Sequence, residues 1–253
     1  MIVKTEAVVL RAMKYRETSK ILTLYTRQYG KLSAIAKGCR GPKSRFGSSL
    51  ELMSFVTAVL YKKEDRDLQL LTQCDVIRPL RRLSEDMDRL YAAMTVVALL
   101  EKATHPEEKN ERLFATTVSS LEAVNDATLN PVSVLYKFEM SLLDILGFRS
   151  NFHTCSSCRK VMDGGTSVGL HLAMGGVLCT SCSKDWAGDG TVSGQGLLVL
   201  QHLQDSDGMN EIARFSILPH VRNEVHETLR RYLQYHVEGL QGLKTEDVFA
   251  ALL

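Results

Sequence analysis

Four of the chain's six cysteines fall in two pairs, Cys155-Ser156-Ser157-Cys158 and Cys179-Thr180-Ser181-Cys182, with twenty residues between the pairs. A two-residue gap lets both thiolates of a knuckle reach one ion at ~2.3 Å, and two knuckles complete a tetrahedron. Four soft ligands leave no position for water, so the spacing predicts a structural Zn2+ ion rather than a catalytic one. Disulfides and unrelated buried thiols are the competing readings, and a cytosolic chain disfavours the disulfides. His153 and His171 lie close by; with four cysteines present they are expected beside the metal or at the surface, not on the ion. Cys39 and Cys74 have no partner spacing and are expected as small buried hydrophobes.

A second group of residues carries charge. Lys37-Gly38-Cys39-Arg40-Gly41-Pro42-Lys43-Ser44-Arg45-Phe46-Gly47 places four basic residues in a glycine-punctuated loop. Glycine lets backbone approach a phosphate chain closely, and lysine and arginine release counterions on contact. Lys14-Tyr15-Arg16, expected in the loop after the first strand, offers a similar set with an aromatic. Tyr15 and Phe46 are candidate base-stacking platforms, at roughly 1–3 kcal/mol per base. Phe46 fits equally well tucked into a barrel mouth, and Tyr25 and Phe55 read as core. Among the first fifty residues eleven are basic and two acidic, a net +9, although the whole chain carries only +2. A one-sided basic block that folds points to a polyanion, with plain solvated charge as the alternative.

Catalytic signatures do not stand out. The basic loop is not a phosphate-binding Walker loop, because Pro42 lacks the N–H that a phosphate nest needs and no Gly-Lys-Ser/Thr follows. There is no His-Glu-x-x-His, no Gly-x-Ser-x-Gly elbow and no convincing dinucleotide fingerprint. His220, His226 and His236 fall on one long helical segment, where a solvated or core role is expected.

The elements that must position these groups change in character along the chain. Ile2 to Leu10, Leu22 to Tyr29, Leu32 to Ala36, Leu50 to Tyr61 and Leu68 to Ile77 read as strands, rich in β-branched and apolar residues. Five strands in about eighty residues suggest a small closed barrel, of the OB or the SH3-like kind. Beyond Pro79 the pattern is helical. Ser84 is expected to cap one helix, Pro106 to open a second, and Asn130-Pro131 a third that ends near Gly147. Ser193 is expected to cap a fourth, with a long helix from about Pro219 to Val237 and a last one after Thr245. Residues 151–190 hold seven of the 17 glycines and four of the six cysteines, which marks an insert. The expected fold is therefore α+β: a barrel over 1–80, then an all-α domain over 81–253 with a zinc-ribbon insert at 151–190. With 253 residues, 45% of them hydrophobic and 24% charged, the composition is that of a globular protein. No apolar run reaches the ~18 residues of a membrane span, and the N-terminus lacks secretory-signal features, so a cytoplasmic protein is expected.

The run Thr18-Ser19-Lys20-Ile21-Leu22-Thr23-Leu24-Tyr25-Thr26, followed by Tyr29-Gly30-Lys31 and by Lys37 through Phe46, resembles the bacterial recombination mediators of the RecO family. The order barrel, helical domain and inserted four-cysteine ribbon extends the likeness over nearly the whole chain. The resemblance implies an N-terminal OB-fold, ATP-independent annealing of complementary strands, and help in loading RecA recombinase onto strands coated by single-stranded-DNA-binding protein (SSB). It implies single- and double-stranded DNA, RecR and the C-terminal tail of SSB as partners, in recombinational repair at the bacterial nucleoid. The family's basic barrel surface maps onto Lys14, Arg16, Lys37, Arg40, Lys43 and Arg45, and the metal site onto Cys155, Cys158, Cys179 and Cys182. Some members lack the cysteines, so the metal is not essential to the activity in general. An acidic tail ending in a hydrophobic residue calls for a pocket beside a cation, for which Arg222, Arg230 and Arg231 are candidates. The rival readings are a zinc-ribbon RNA-modifying or RNA-processing enzyme, and a scaffold whose basic loop meets an acidic protein.

Overall fold

A computed structural model describes residues 1–41, 44–186, 188–212 and 215–240. Lys43 of the basic loop and the expected helix after Thr245 lie outside them. The chain forms two compact units, Met1–Asn125 and a second beginning at Asp126.

The first unit is built on five strands: β1 (Ile2–Tyr15), β2 (Ser19–Thr26), β3 (Gly30–Ala36), β4 (Phe55–Tyr61) and β5 (Leu68–Arg78). They close a barrel in the order β1-β2-β3-β5-β4. β1 is long enough to pair with two neighbours. Ile2–Val8 run antiparallel to β4, Ala7–Tyr15 run antiparallel to β2, and a bulge between Val9 and Arg11 supplies the bend. The β3–β5 pair is parallel and the other four are antiparallel. This order, with its one parallel closure, is that of an OB-fold and excludes the SH3-like alternative. Leu22, Leu24, Ala34, Val56, Ala58 and Leu60 fill the barrel, and Cys74 is buried among them with Cys39 packed against the cluster.

Two helices complete this unit. Asp86 rather than Ser84 caps α1 (Met87–Ala103), accepting the Arg89 N–H at 2.8 Å; Ser84 ends a 3₁₀ turn, Arg81–Ser84. Pro106 does not open a helix but bridges to Lys31, and α2 (Glu111–Asn125) starts later, with Asn110 Oδ1 accepting the Leu113 N–H at 2.9 Å. Phe114 of α2 packs on Tyr25 and Phe55, which places both aromatics in the core as expected. Lys31 reaches the end of α1, donating to the carbonyls of Glu101 and Thr104, where helix dipole and orphan acceptors favour a cation.

In the second unit α3 (Pro131–Ile145) starts at Asn130, whose side chain accepts from Val132 and Ser133, and α4 (Gly194–Asp205) starts at Ser193, which accepts from Gly196. Short α5 (Met209–Ile212) and long α6 (Pro219–His236) follow. Buried Lys137 of α3 donates to the carbonyls of Leu203 (2.7 Å) and Ser206 (2.5 Å), sealing the end of α4 as Lys31 seals α1. The insert is a sheet of β6 (Asn151–Cys155), β7 (Val168–His171), β8 (Gly176–Leu178) and β9 (Gly190–Val192), in the order β6-β8-β7-β9. Polar contacts hold it to the helices: Gln201 Nε2 donates to the carbonyls of Phe152 and Met162, and the Tyr232 hydroxyl donates to that of Gly176.

Candidate metal centre and nucleic-acid interface

β6 and β8 are parallel neighbours, and Cys155 pairs with Val177 in their register. Each strand runs directly into a knuckle. After β6 the chain turns through Cys158, with Arg159 N–H donating to Cys155 O at 2.9 Å and Arg159 in a left-handed conformation (φ 64°). After β8 it turns through Cys182, with Ser183 N–H donating to Cys179 O at 2.9 Å. The four Sγ atoms consequently lie within 4.8 Å of one another, forming the cluster of metal-ligating type found among the described residues. Cys158 and Cys179 sulfurs are 3.8 Å apart, which is the edge of a tetrahedron with ~2.3 Å bonds to zinc at its centre.

The electrostatics of the cluster fit a cation. Burial raises the Cys155 thiol, but backbone N–H groups of Cys158, Cys179 and Ser157 aimed at its sulfur outweigh that and bring it down to about 6. The Cys179 thiol is also lowered, first by the backbone N–H of Cys182. Cys182 is pulled down by the Ser157 hydroxyl, yet crowding by Cys158, Cys179 and Cys155 prevails and pushes it up to about 12. Four sulfurs this close cannot all ionise on their own, whereas a bound dication stabilises all four as thiolates. The residues can therefore hold a metal ion. His153 and His171 stand outside the sulfur cluster: His153 Nε2 meets Asp205 at 2.9 Å, and His171 packs edge-on against Trp186.

At the barrel the basic residues sort by what they touch. β1 extends through Tyr15, so Lys14 and Tyr15 end a strand instead of occupying a loop, and Arg16 begins the turn with φ 52°. The segment after β3 folds back on that turn. Arg40 donates its backbone N–H to Thr18 O at 3.0 Å and its Nη1–H to Arg16 O at 3.3 Å. Lys14 pairs with Lys20, and Lys20 with Ala36, directly before Lys37. Lys14, Arg16, Lys37 and Arg40 thus share one rim of the barrel, all exposed, and no described ion pair engages them. Arg45 is exposed too, directly before Phe46, which is buried in the barrel core. Burial removes Phe46 as a stacking platform. Tyr15 keeps its exposed ring, with the Arg16 guanidinium 5.3 Å from the ring centroid.

Other members of the basic block serve the fold. Lys20 is paired with Glu51 at 3.1 Å, Arg27 with Glu6 at 2.7 Å, and Lys31 is spent on the α1 terminus. Arg11 was not singled out by the sequence. It is exposed on β1 opposite Thr23, and the bulge that precedes it resets the alternation of faces, which the sequence pattern does not signal.

Comparison with known proteins matches residues 1–80 to the family model "Recombination protein O N terminal" and residues 84–246 to "Recombination protein O C terminal". The chain is similar to the DNA repair protein RecO of Chloroherpeton thalassium, 29% identical over all of both chains. It is 30% identical to that of Salinibacter ruber, over 99% of this chain and 94% of the relative. With that of Chlorobaculum parvum it shares 39% identity over 61% of this chain and 60% of the relative.

Proposed function

The chain belongs to the RecO family of DNA repair proteins, and from that premise we propose that it is a recombination mediator that anneals complementary single strands without ATP and helps load RecA onto SSB-coated single-stranded DNA. The observation that carries this reading is the rim of Lys14, Arg16, Lys37 and Arg40, with Arg45 beside it, free of described carboxylate partners. Cations held on a rigid barrel neutralise the repulsion between two phosphate backbones and raise the local concentration of both strands. Base pairing then supplies the free energy, so no residue need act as acid, base or nucleophile. The four cysteines hold a structural zinc ion that fixes the ribbon; all four positions are sulfur, which leaves no place for a reacting water.

The reading includes RecR and the SSB tail as partners and the bacterial cytoplasm as the place of action. Among the described residues no helix is long and apolar enough to cross a membrane. Arg230 is held by Glu227 at 2.8 Å and Arg231 by Asp189 O at 2.6 Å, and Arg222 also has contacts within the chain. These arginines are thus engaged within the chain and do not carry the proposed contact with the SSB tail.

The test is annealing of two complementary labelled oligonucleotides, each coated with SSB, without ATP. Fast annealing that is abolished by Lys37→Ala, Arg40→Ala and Arg45→Ala together is the expected result. Annealing no faster than background, or untouched by the triple change, refutes the mediator reading.

A further inference from the structure

In the second compact unit, rings are stacked from the core to the surface. Buried Phe152 meets Tyr232 edge-on at 5.8 Å between centroids. Tyr232 lies nearly parallel to His236 at 5.8 Å and 19°, and His236 nearly parallel to Phe148 at 5.1 Å and 25°. Each member is fixed by something besides its neighbours. The Tyr232 hydroxyl donates to Gly176 O at 3.0 Å. His236 Nε2–H donates to Leu172 O at 3.0 Å, a carbonyl that can only accept. Phe148 donates its backbone N–H to Leu143 O at 2.8 Å, where the chain leaves α3. The outermost ring, Phe148, remains 39% exposed, and Tyr235, edge-on to His236, is 50% exposed. Next along the chain, the Arg149 side chain is 72% exposed, with Asp144 3.9 Å away.

A partly exposed phenylalanine held in register by a stack offers ring surface whose ordering cost was met on folding. Two exposed rings make too small a patch for a stable protein interface, which buries ~800 Å² on each partner. They match the size and chemistry of a nucleobase, and a guanidinium on the next residue matches the phosphate that accompanies it. We propose that Phe148 stacks an unpaired base of single-stranded DNA, with Tyr235 flanking it and Arg149 on an adjoining phosphate, so that the second unit holds a strand segment of its own. This rests on the single-strand binding assigned above.

The test uses the full chain loaded with zinc and a fluorescent oligo(dT), read by anisotropy, beside a strand of equal length made of abasic units. Phe148→Leu keeps the apolar volume without the ring, and Phe148→Trp keeps a ring; melting temperatures confirm that both fold. Phe148→Leu is expected to weaken oligo(dT) binding between about fivefold and a hundredfold, the range that stacking spans. Phe148→Trp is expected to retain it, and on the abasic strand all three proteins should bind alike. Equal binding of oligo(dT) by Phe148→Leu and the unchanged protein overturns the proposal, as does a loss of equal size on the abasic strand. If Arg40→Ala weakens binding and Phe148→Leu does not, the stacking site alone fails. If the unchanged protein does not bind oligo(dT), the single-strand reading fails and takes this site with it.

Discussion

Lys20 and Arg40 carry the same charge at the same rim, yet only one of them is free to meet a phosphate. Lys20 is held by Glu51 at 3.1 Å, whereas Arg40 spends its donors on carbonyls and keeps its charge unopposed. Arg40→Ala should therefore make the slope of log affinity against log salt shallower by about 0.7 on single strands, while Lys20→Ala leaves it nearly unchanged. Equal effects in a salt titration would contradict this sorting. The charges themselves were plain in the sequence; their pairing was not, because Glu51 and Glu6 reach their cations only once the barrel is closed. The cysteine site was legible almost in full, since two contiguous knuckles carry their own geometry. A buried carboxyl left no such signal. Glu139 on α3 is pushed up to about 8 by burial, and its Oε2 has no described partner. The native chain keeps a proton there that the unfolded chain, titrating near ~4.3, releases. Its contribution to stability is complete below that value and is lost as pH rises through about 8, on the order of 5 kcal/mol in all. Urea denaturation at pH 6 and pH 9 should show a fall in the unchanged protein that Glu139→Gln reduces; identical falls would exclude Glu139 as the source.

At the scale of elements, Phe46 anchors the far end of the basic segment in the barrel core. Phe46 lies in the core among Leu22, Leu50 and Leu60, and its neighbours Arg45 and Gly47 are exposed. Phe46→Ala should cost about 3–5 kcal/mol, the usual range for emptying such a site. It should also weaken strand binding, because the rim loses one of its anchors. A thermal melt together with a binding titration checks both, and unchanged stability would mean that the core closes over the gap. Strand existence and the caps at Asn130 and Ser193 were readable, since both rest on local chemistry. The misplaced starts of α1 and α2 have a local cause as well. Each has a competing cap, Asp86 or Asn110, a few residues beyond the one favoured by sequence. The length of β1 was not readable, because a strand that bends at a bulge to serve two neighbours looks in sequence like a strand followed by a loop.

At the scale of the whole molecule, the cysteine cluster that could hold a metal and the barrel rim belong to different compact units, the cysteines to the one beginning at Asp126 and the rim to Met1–Asn125. An ion that binds only the folded ribbon stabilises the unit that contains it by mass action and the other only through whatever couples the two. The ribbon is held to α4 and α6 through Gln201 and Tyr232, and Tyr232 is a member of the stack that ends at Phe148. Stripping the proposed zinc should therefore loosen the stack while leaving the five strands and their cations in place. Binding of oligo(dT) by the chelated protein is expected to fall to the level of Phe148→Leu and no further, with Arg40→Ala still weakening what remains. The measurement is one titration series on metal-loaded and chelated protein, with and without each substitution, and with released zinc counted by a colorimetric chelator. Complete loss of binding on chelation would show that the rim depends on the ribbon, and no loss would show that the ion has no part in holding the stack. The predicted outcome lies between these and follows from the proposed metal being structural for one unit alone.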